Sequence, residues 1–225
     1  MERRKSKEIK IGSVKIGAGH PIAVQSMTFT KTANADATVK QILSLERAGC
    51  DIVRFSVPDE ESAKSISYIK EHTHIPLVAD IHFNYKLALA ALERGIDKIR
   101  INPGNIGSPE RIKAVADACR MRGVPIRIGV NGGSLEKHIL AKYGSPTPEA
   151  LCESALYHVR LLEQFDFTDI VVSIKSSDVA DTVRANRLFA EKTDYPLHLG
   201  VTEAGTERMG IIKSSAGIGS LLLDG

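Results

Sequence analysis

The chain has 225 residues, 43% of them hydrophobic and 25% charged, ordinary globular values that exclude disorder as a description of the whole. Its net charge of +3 sits in residues 1–10, where five basic residues meet two acidic ones, while the rest of the chain is balanced; that argues against a nucleic-acid reader, which needs a basic face on its folded body. Three cysteines exclude a disulfide scaffold and suit a reducing compartment.

Taken in chain order, residues 1–10 form a basic arm. No apolar stretch of about 7–15 residues follows it, so no secretory signal is expected. No run nears the ~18 apolar residues of a membrane span. The expected compartment is the cytoplasm, with no membrane partner.

Short β-branched runs then recur at Ile22–Val24, Ile52–Phe55, Pro76–Ala79, Lys98–Ile101, Pro125–Val130, Ile170–Ile174 and Pro196–Val201. Near-continuous apolar strands are those buried on both faces. Helical patterns separate them. Asp36–Ala48 sets Val39, Ile42, Leu43 and Leu45 on one stripe and stops at Gly49. Ser108-Pro109 opens another, closed by Gly123, and Thr147-Pro148 opens one running to about Phe165. Glu207 to Leu223 reads as a last helix. Strand and helix alternating this way predict parallel βαβ units. A doubly wound dinucleotide binder needs G-x-G-x-x-G after its first strand; here Gln25 is followed by Ser-Met-Thr-Phe-Thr-Lys. The expectation is therefore one α/β domain, residues 1–225, folded as a TIM-type β/α barrel. Seven strands are recognisable and an eighth is not, which predicts an open seam between the first and the seventh.

In such a barrel the site lies at the C-terminal ends of the strands. Polar residues gather there: Gln25 and Ser26, Arg54 and Ser56, Asp80 and His82, Arg100 and Asn102, Arg127 and Asn131, Ser173 and Lys175, and Thr202-Glu203. Spacing by two puts both members of a pair on one face. Arg54, Arg100, Arg127 and Lys175 bring four cations to one mouth, against Asp80 and Glu203. Buried charges need partners, and guanidinium forks suit phosphate oxygens, so the site is expected to take a diphosphate. Asp80 and His82 could ligate a divalent metal, hydrogen-bond a substrate or serve the structure; substrate bonding is the preferred reading. Glu203 could be a general acid, orient a substrate hydroxyl, or be a solvated loop carboxylate. His198 is expected to face the barrel interior, whereas His20, His72, His74, His138 and His158 read as surface or packing residues. Cys50, Cys119 and Cys152 have no C-x-x-C spacing and read as core residues, not cluster ligands. No metal site is expected in this chain.

The strings Val24 to Thr28 (VQSMT), Asp51 to Arg54 (DIVR), Ala79 to Phe83 (ADIHF), Arg100 to Asn105 (RINPGN), Ile126 to Asn131 (IRIGVN), Ser145 to Ala155 (SPTPEALCESA) and His198 to Gly205 (HLGVTEAG) resemble the 4-hydroxy-3-methylbut-2-enyl diphosphate synthase family of isoprenoid (terpenoid) biosynthesis. The resemblance spans almost the whole chain. It implies an oxidoreductase of the methylerythritol phosphate pathway that reductively opens 2-C-methyl-D-erythritol 2,4-cyclodiphosphate. Electrons from flavodoxin or ferredoxin would pass through a [4Fe-4S] cluster in a homodimer. It also implies that Arg54, Arg100, Arg127 and Lys175, with Asn102 and Asn131, hold the diphosphate, that Asp80 and His82 line the pocket, and that Glu203 acts near the hydroxyl that is lost. Phe29 departs from the Asn or Thr common in the family. The family's eighth strand and iron–sulfur domain, with its cluster ligands, are not present in this chain, so the isolated chain is expected to be inactive. The alternatives are a catalytically inactive diphosphate-binding fragment and a pterin-binding barrel enzyme such as dihydropteroate synthase. The latter's Asp-x-Gly-Gly-Glu-Ser-type loop is lacking.

Overall fold

Ile9, Ile11, Val14 and Ile16 alternate with polar residues around Gly12-Ser13, and this period of two folds as a hairpin. In the computed structural model, which describes residues 3–225, strands β1 (Ile9–Ile11) and β2 (Val14–Ile16) pair antiparallel. The basic arm is thus no simple arm from residue 9 onward; its first two residues lie outside the described ones. The hairpin is followed by β3 (Gln25–Met27), α1 (Ala35–Arg47), β4 (Ile52–Ser56), α2 (Glu60–Glu71), β5 (Leu77–Asp80), α3 (Tyr85–Glu93) and β6 (Lys98–Ile101). Then come α4 (Pro103–Ile106), α5 (Pro109–Arg122), β7 (Ile126–Asn131), α6 (Lys137–Tyr143), α7 (Pro148–Glu163), β8 (Ile170–Lys175), α8 (Val179–Ala190) and α9 (Glu207–Leu223).

Strands β3 to β8 form one six-stranded sheet in sequence order, and each adjacent pair is parallel. The result is a curled, open α/β barrel with helices outside. Its two faces differ in chemistry. Val53, Phe55, Leu77, Ala79, Ile99, Ile101, Ile126, Ile128, Ile170 and Val172 belong to the large core formed with the helices. The alternate residues Ile52, Val78 and Val171 pack instead with Ile9 and Ile11. The hairpin therefore plugs the N-terminal end of the barrel. Two residues further along the same inner face stand Arg54, Asp80 and Ser173. The inner wall turns from apolar to charged within a single step of the pleat.

Two expected elements need correction. The first strand is Gln25–Met27, three residues later than Ile22–Val24. Backbone pairing with β4 runs Gln25 to Ile52, Ser26 to Val53 and Met27 to Arg54, while Ile22 and Val24 are more than half exposed. The seventh strand, Pro196–Val201, shrinks to a single parallel bridge, Leu197 to Val172. The amide of His198 donates to Val172 O, and that of Val172 to Pro196 O. The sheet is thus six strands wide, with edges at β3 and β8. Among the described residues no strand follows, and α9 takes the predicted span, Glu207–Leu223. A cleft of about 710 Å³ opens along this seam, between Ile22–Gln25 on one side and Pro196–Leu199 with α9 on the other. No helix among the described residues is long and apolar enough to cross a membrane.

Candidate functional site

Register, rather than sequence distance, builds the site. Asp80 pairs with Arg100 and Arg100 with Arg127, so three neighbouring strands present one carboxylate and two guanidiniums in a row. Strand spacing of about 4.8 Å sets them side by side. Arg100 Nη1 donates to Asp80 Oδ1 at 2.9 Å. Arg54 Nε lies 3.6 Å from Asp80 Oδ2, and His82 Nε2 lies 3.6 Å from Asp80 Oδ1. Asp80 is only 3% exposed, so one buried carboxylate answers two guanidiniums, Arg54 and Arg100.

Arg127 is more isolated. It is 1% exposed, and its Nη1 donates to Ser173 Oγ at 2.6 Å. Its Nε and Nη2 are buried without a hydrogen-bond partner, as is Arg100 Nε. Buried N–H groups of a cation left unpaired are costly, and they point to an anion as their partner. The inner wall makes room for the long side chains with glycine. A Cβ built at Gly129 would lie 2.7 Å from both Arg100 Nε and Nη2, and one at Gly200 would lie 2.8 Å from Lys175 Nζ. Arg100 and Lys175 therefore lie across bare backbone.

Burial, then Arg127, Arg54 and Arg100, push the Lys175 ammonium down to about 7, with Asp80 opposing. Burial, then the charges of Arg127, Lys175, Lys98 and Arg54, push the His198 imidazole well down, so it is neutral among cations. Its expected interior position agrees with this electrostatic company. Burial pushes Arg54 down too, partly offset by Asp80.

Asn102 and Asn131 stand at the ends of β6 and β7, where their side chains also hold the loops. Asn102 Oδ1 accepts from Gly104 N and Asn131 Oδ1 from Gly133 N, both at 3.1 Å. Each therefore turns its oxygen to its own loop and keeps its NH₂ for another partner. Glu203 does not join the cluster. It is exposed on the loop before α9 and, among the described residues, makes no hydrogen bond or ion pair. It holds φ +49°, a left-handed conformation unusual outside glycine.

The sequence reading missed Lys98. It is fully buried, and Nζ donates to Gln25 Oε1 at 3.0 Å across the barrel. Its K-x-R spacing with Arg100, which places both on the inner face, was the available signal. Gln25 and Ser173, noted only as strand-end polar groups, prove to be partners of Lys98 and Arg127. The expected charge balance also shifts: Glu203 leaves the cluster and Lys98 enters it, its ammonium pushed well down by burial and then by Arg127 and Arg54.

The cysteines do not suit a cluster. All three are buried and free. Cys50 Sγ donates to Ile52 O at 3.0 Å, Cys119 lies in α5 and Cys152 in α7. Burial pushes the Cys119 thiol far up. No three His, Cys, Asp or Glu side chains gather as metal ligands among the described residues.

Lys175 gives a testable pH dependence. Its ammonium titrates at about 7 in the folded chain against about 10.4 unfolded. Between those values the unfolded state binds more protons, so Lys175 makes stability rise with pH across that window. An anion beside it reverses the preference and draws a proton in. Sulfate, which does not titrate near neutrality, should bind more tightly as pH falls from about 8.5 to about 6.5. Calorimetry in buffers of different ionisation enthalpy should show proton uptake that Lys175→Met abolishes. An affinity that is flat with pH would refute this role.

Residues 6–225 match the family model described as the GcpE TIM-barrel domain. A protein named 4-hydroxy-3-methylbut-2-en-1-yl diphosphate synthase (flavodoxin) from Caldanaerobacter subterraneus subsp. tengcongensis is 60% identical over 99% of this chain and 63% of its own length. A relative of the same name from Nitratiruptor sp. is 61% identical over 100% of this chain and 63% of its own length. The chain thus spans about three fifths of the curated relatives it matches. Among solved structures, type I 3-dehydroquinate dehydratase from Clostridium difficile superposes with a TM-score of 0.67 at 18% identity, covering 95% of this chain and 86% of that one. Dihydropteroate synthase from Yersinia pestis gives 0.62 at 12% identity, covering 96% and 85%. At such identities the likeness is one of barrel fold alone. The whole-length family match and the strand-end motifs together establish that the chain belongs to the GcpE TIM-barrel domain family.

Proposed function

We propose that this chain is the substrate-binding barrel of an oxidoreductase that opens 2-C-methyl-D-erythritol 2,4-cyclodiphosphate reductively to 4-hydroxy-3-methylbut-2-enyl diphosphate. The observation that carries the reading is the row of guanidiniums with buried, unpartnered N–H groups and a single carboxylate among them. Relatives whose name includes flavodoxin support the electron source; flavodoxin or ferredoxin supplies two electrons. The [4Fe-4S] cluster and its ligands come from outside these 225 residues, which act as one barrel domain, 1–225, of a cytoplasmic homodimer. This chain's three cysteines, buried and free, do not fit the cluster.

In this reading Arg54, Arg100, Arg127 and Lys175 hold the diphosphate, and the amides of Asn102 and Asn131 donate to it. Asp80 keeps Arg54 and Arg100 oriented, and His82 lines the pocket above it. Ring opening breaks one C–O bond to phosphate, leaving both phosphates as a terminal diphosphate ester on one chain end. The cations stabilise the charge that develops there. Glu203 hands a proton to the hydroxyl that departs as water; its left-handed backbone, a strain of order 1 kcal/mol, supports a role beyond a solvated loop.

Calorimetric titration of the chain with inorganic pyrophosphate tests the reading. Arg100→Ala should weaken binding by about 1.5–3 kcal/mol, the scale of a hydrogen bond to a charged group, and added salt should weaken it further. A chain that binds no pyrophosphate, or a variant that binds as well as the parent, refutes the anion site.

A further inference from the structure

A second ionisable pair lies beneath the loops that present Asn102 and Asn131. Glu136, the residue before α6, brings Oε1 to 2.5 Å from Nε2 of His158, midway along α7. The His158 side chain is fully buried and that of Glu136 is 12% exposed. His158 was expected only to pack or face solvent; here it meets an acid in the interior. Ser154, one helical turn before His158, is also fully buried and shares its face of the helix. Burial pushes the Glu136 carboxyl up, but contact with His158 and then Ser154 outweighs this and holds it below its ordinary value. What joins the pair is this close charged approach rather than a well-aligned hydrogen bond: both Glu136 oxygens, both His158 ring nitrogens and Ser154 Oγ are buried without a hydrogen-bond partner.

Both mouth loops rest on this pair. A Cβ built at Gly104 would lie 3.3 Å from Glu136 Oε1, 3.3 Å from His158 Cε1 and 3.3 Å from Asn102 Oδ1. The backbone after β6 is therefore seated directly on the acid and the imidazole, and only a glycine sits there without pushing them away. Glu136 itself ends the loop that begins at Asn131, whose backbone N–H donates to Ser134 Oγ at 3.1 Å, closing the turn that leads to Glu136. One loop touches the pair from above and the other delivers one of its members.

We infer that Glu136 and His158 are positioning residues, a buried clasp that fixes the β6 and β7 loops to α7 and thereby sets where the Asn102 and Asn131 amides stand at the barrel mouth. The link to ligand affinity rests on the diphosphate reading above; the link to loop order does not.

Amide hydrogen exchange and pyrophosphate titration test the clasp together. In Glu136→Ala, exchange at the Gly104 and Gly133 amides, the two that the asparagines cap, should quicken about tenfold, with the amides of β4 to β7 unchanged. Glu136→Gln, which keeps the side chain's size and its contact with the ring, should keep near-parental protection. Pyrophosphate affinity should fall about tenfold in Glu136→Ala, and that fall should vanish when Asn102 and Asn131 are already alanine, because coupled groups are not additive. Should Glu136→Ala not fold, Gly104→Ala presses on the same pair from the loop side and is read in the same way. Unchanged exchange at both glycines, quickened exchange across the strands as well, or an affinity loss that persists without the asparagines each overturns the clasp. If the parent chain binds no pyrophosphate, the proposed function falls while the exchange experiment still decides the clasp.

Discussion

Replacing Asp80 with asparagine should destabilise the ligand-free chain by about 3–5 kcal/mol, the usual result of removing one partner from a buried ion pair. The argument is one of uncompensated charge. Asp80 accepts from Arg100 at 2.9 Å and lies 3.6 Å from both Arg54 and His82. Asparagine keeps the shape and one acceptor oxygen but removes the negative charge. Arg54, Arg100 and Arg127 would then share an interior with no counter-ion among them. Urea unfolding measures the loss, which should move the midpoint without changing the slope. Sulfate or pyrophosphate supplies the missing charge from outside, so either should restore more stability to the variant than it adds to the parent. Equal unfolding midpoints would mean that water or ions already balance the arginines and that Asp80 is dispensable.

How far the sequence reveals this arrangement depends on what fixes each element. Helices punctuated by local chemistry were legible. Thr147-Pro148 opens α7 with the Thr147 hydroxyl accepting from Ala150 N. Gly123 ends α5 in the left-handed conformation at φ +63°. Such signals act over three or four residues and need no partner. Strand limits were less legible, because pairing sets them. Ile22–Val24 has the β-branched composition of a strand, yet the ladder begins at Gln25, opposite Ile52. At a sheet edge, apolar content does not specify which residues pair. Pro196–Val201 likewise reads as a strand but bonds only along one side, to β8. The hairpin is less legible because Lys10 and Lys15 give its alternating Ile9, Ile11, Val14 and Ile16 the composition of a basic arm. In the site, two-residue spacing along one strand marks Arg54, Asp80, Arg100 and Lys175, while Arg127 is marked by its place on a strand. Partnerships between strands, Lys98 with Gln25 and Arg127 with Ser173, follow from register, which the sequence does not print.

Arg127→Met should push stability and binding in opposite directions. Among the described residues Arg127 is the largest fully buried side chain, holding one hydrogen bond to Ser173 and leaving Nε and Nη2 without partners. Burial, then Arg54 and Arg100, all act against its charge, and Asp80 opposes them only in part. Methionine has a similar reach, no charge and enough flexibility to fill the space. Replacing an ill-compensated buried ion with an apolar side chain is commonly neutral or stabilising by about 1–4 kcal/mol, so the ligand-free variant should unfold at higher urea. Its affinity for pyrophosphate should fall by roughly 100-fold, since each hydrogen bond to a charged group contributes about 1.5–3 kcal/mol. The Ser173 hydroxyl loses its donor in the variant and can turn to water or a backbone oxygen, which limits the cost of the change. A purely structural arginine would give the reverse pattern: lower stability and unaltered binding. The opposite signs separate a residue that the fold needs from one that the fold tolerates because a ligand needs it, the trade expected where a site carries strain for function.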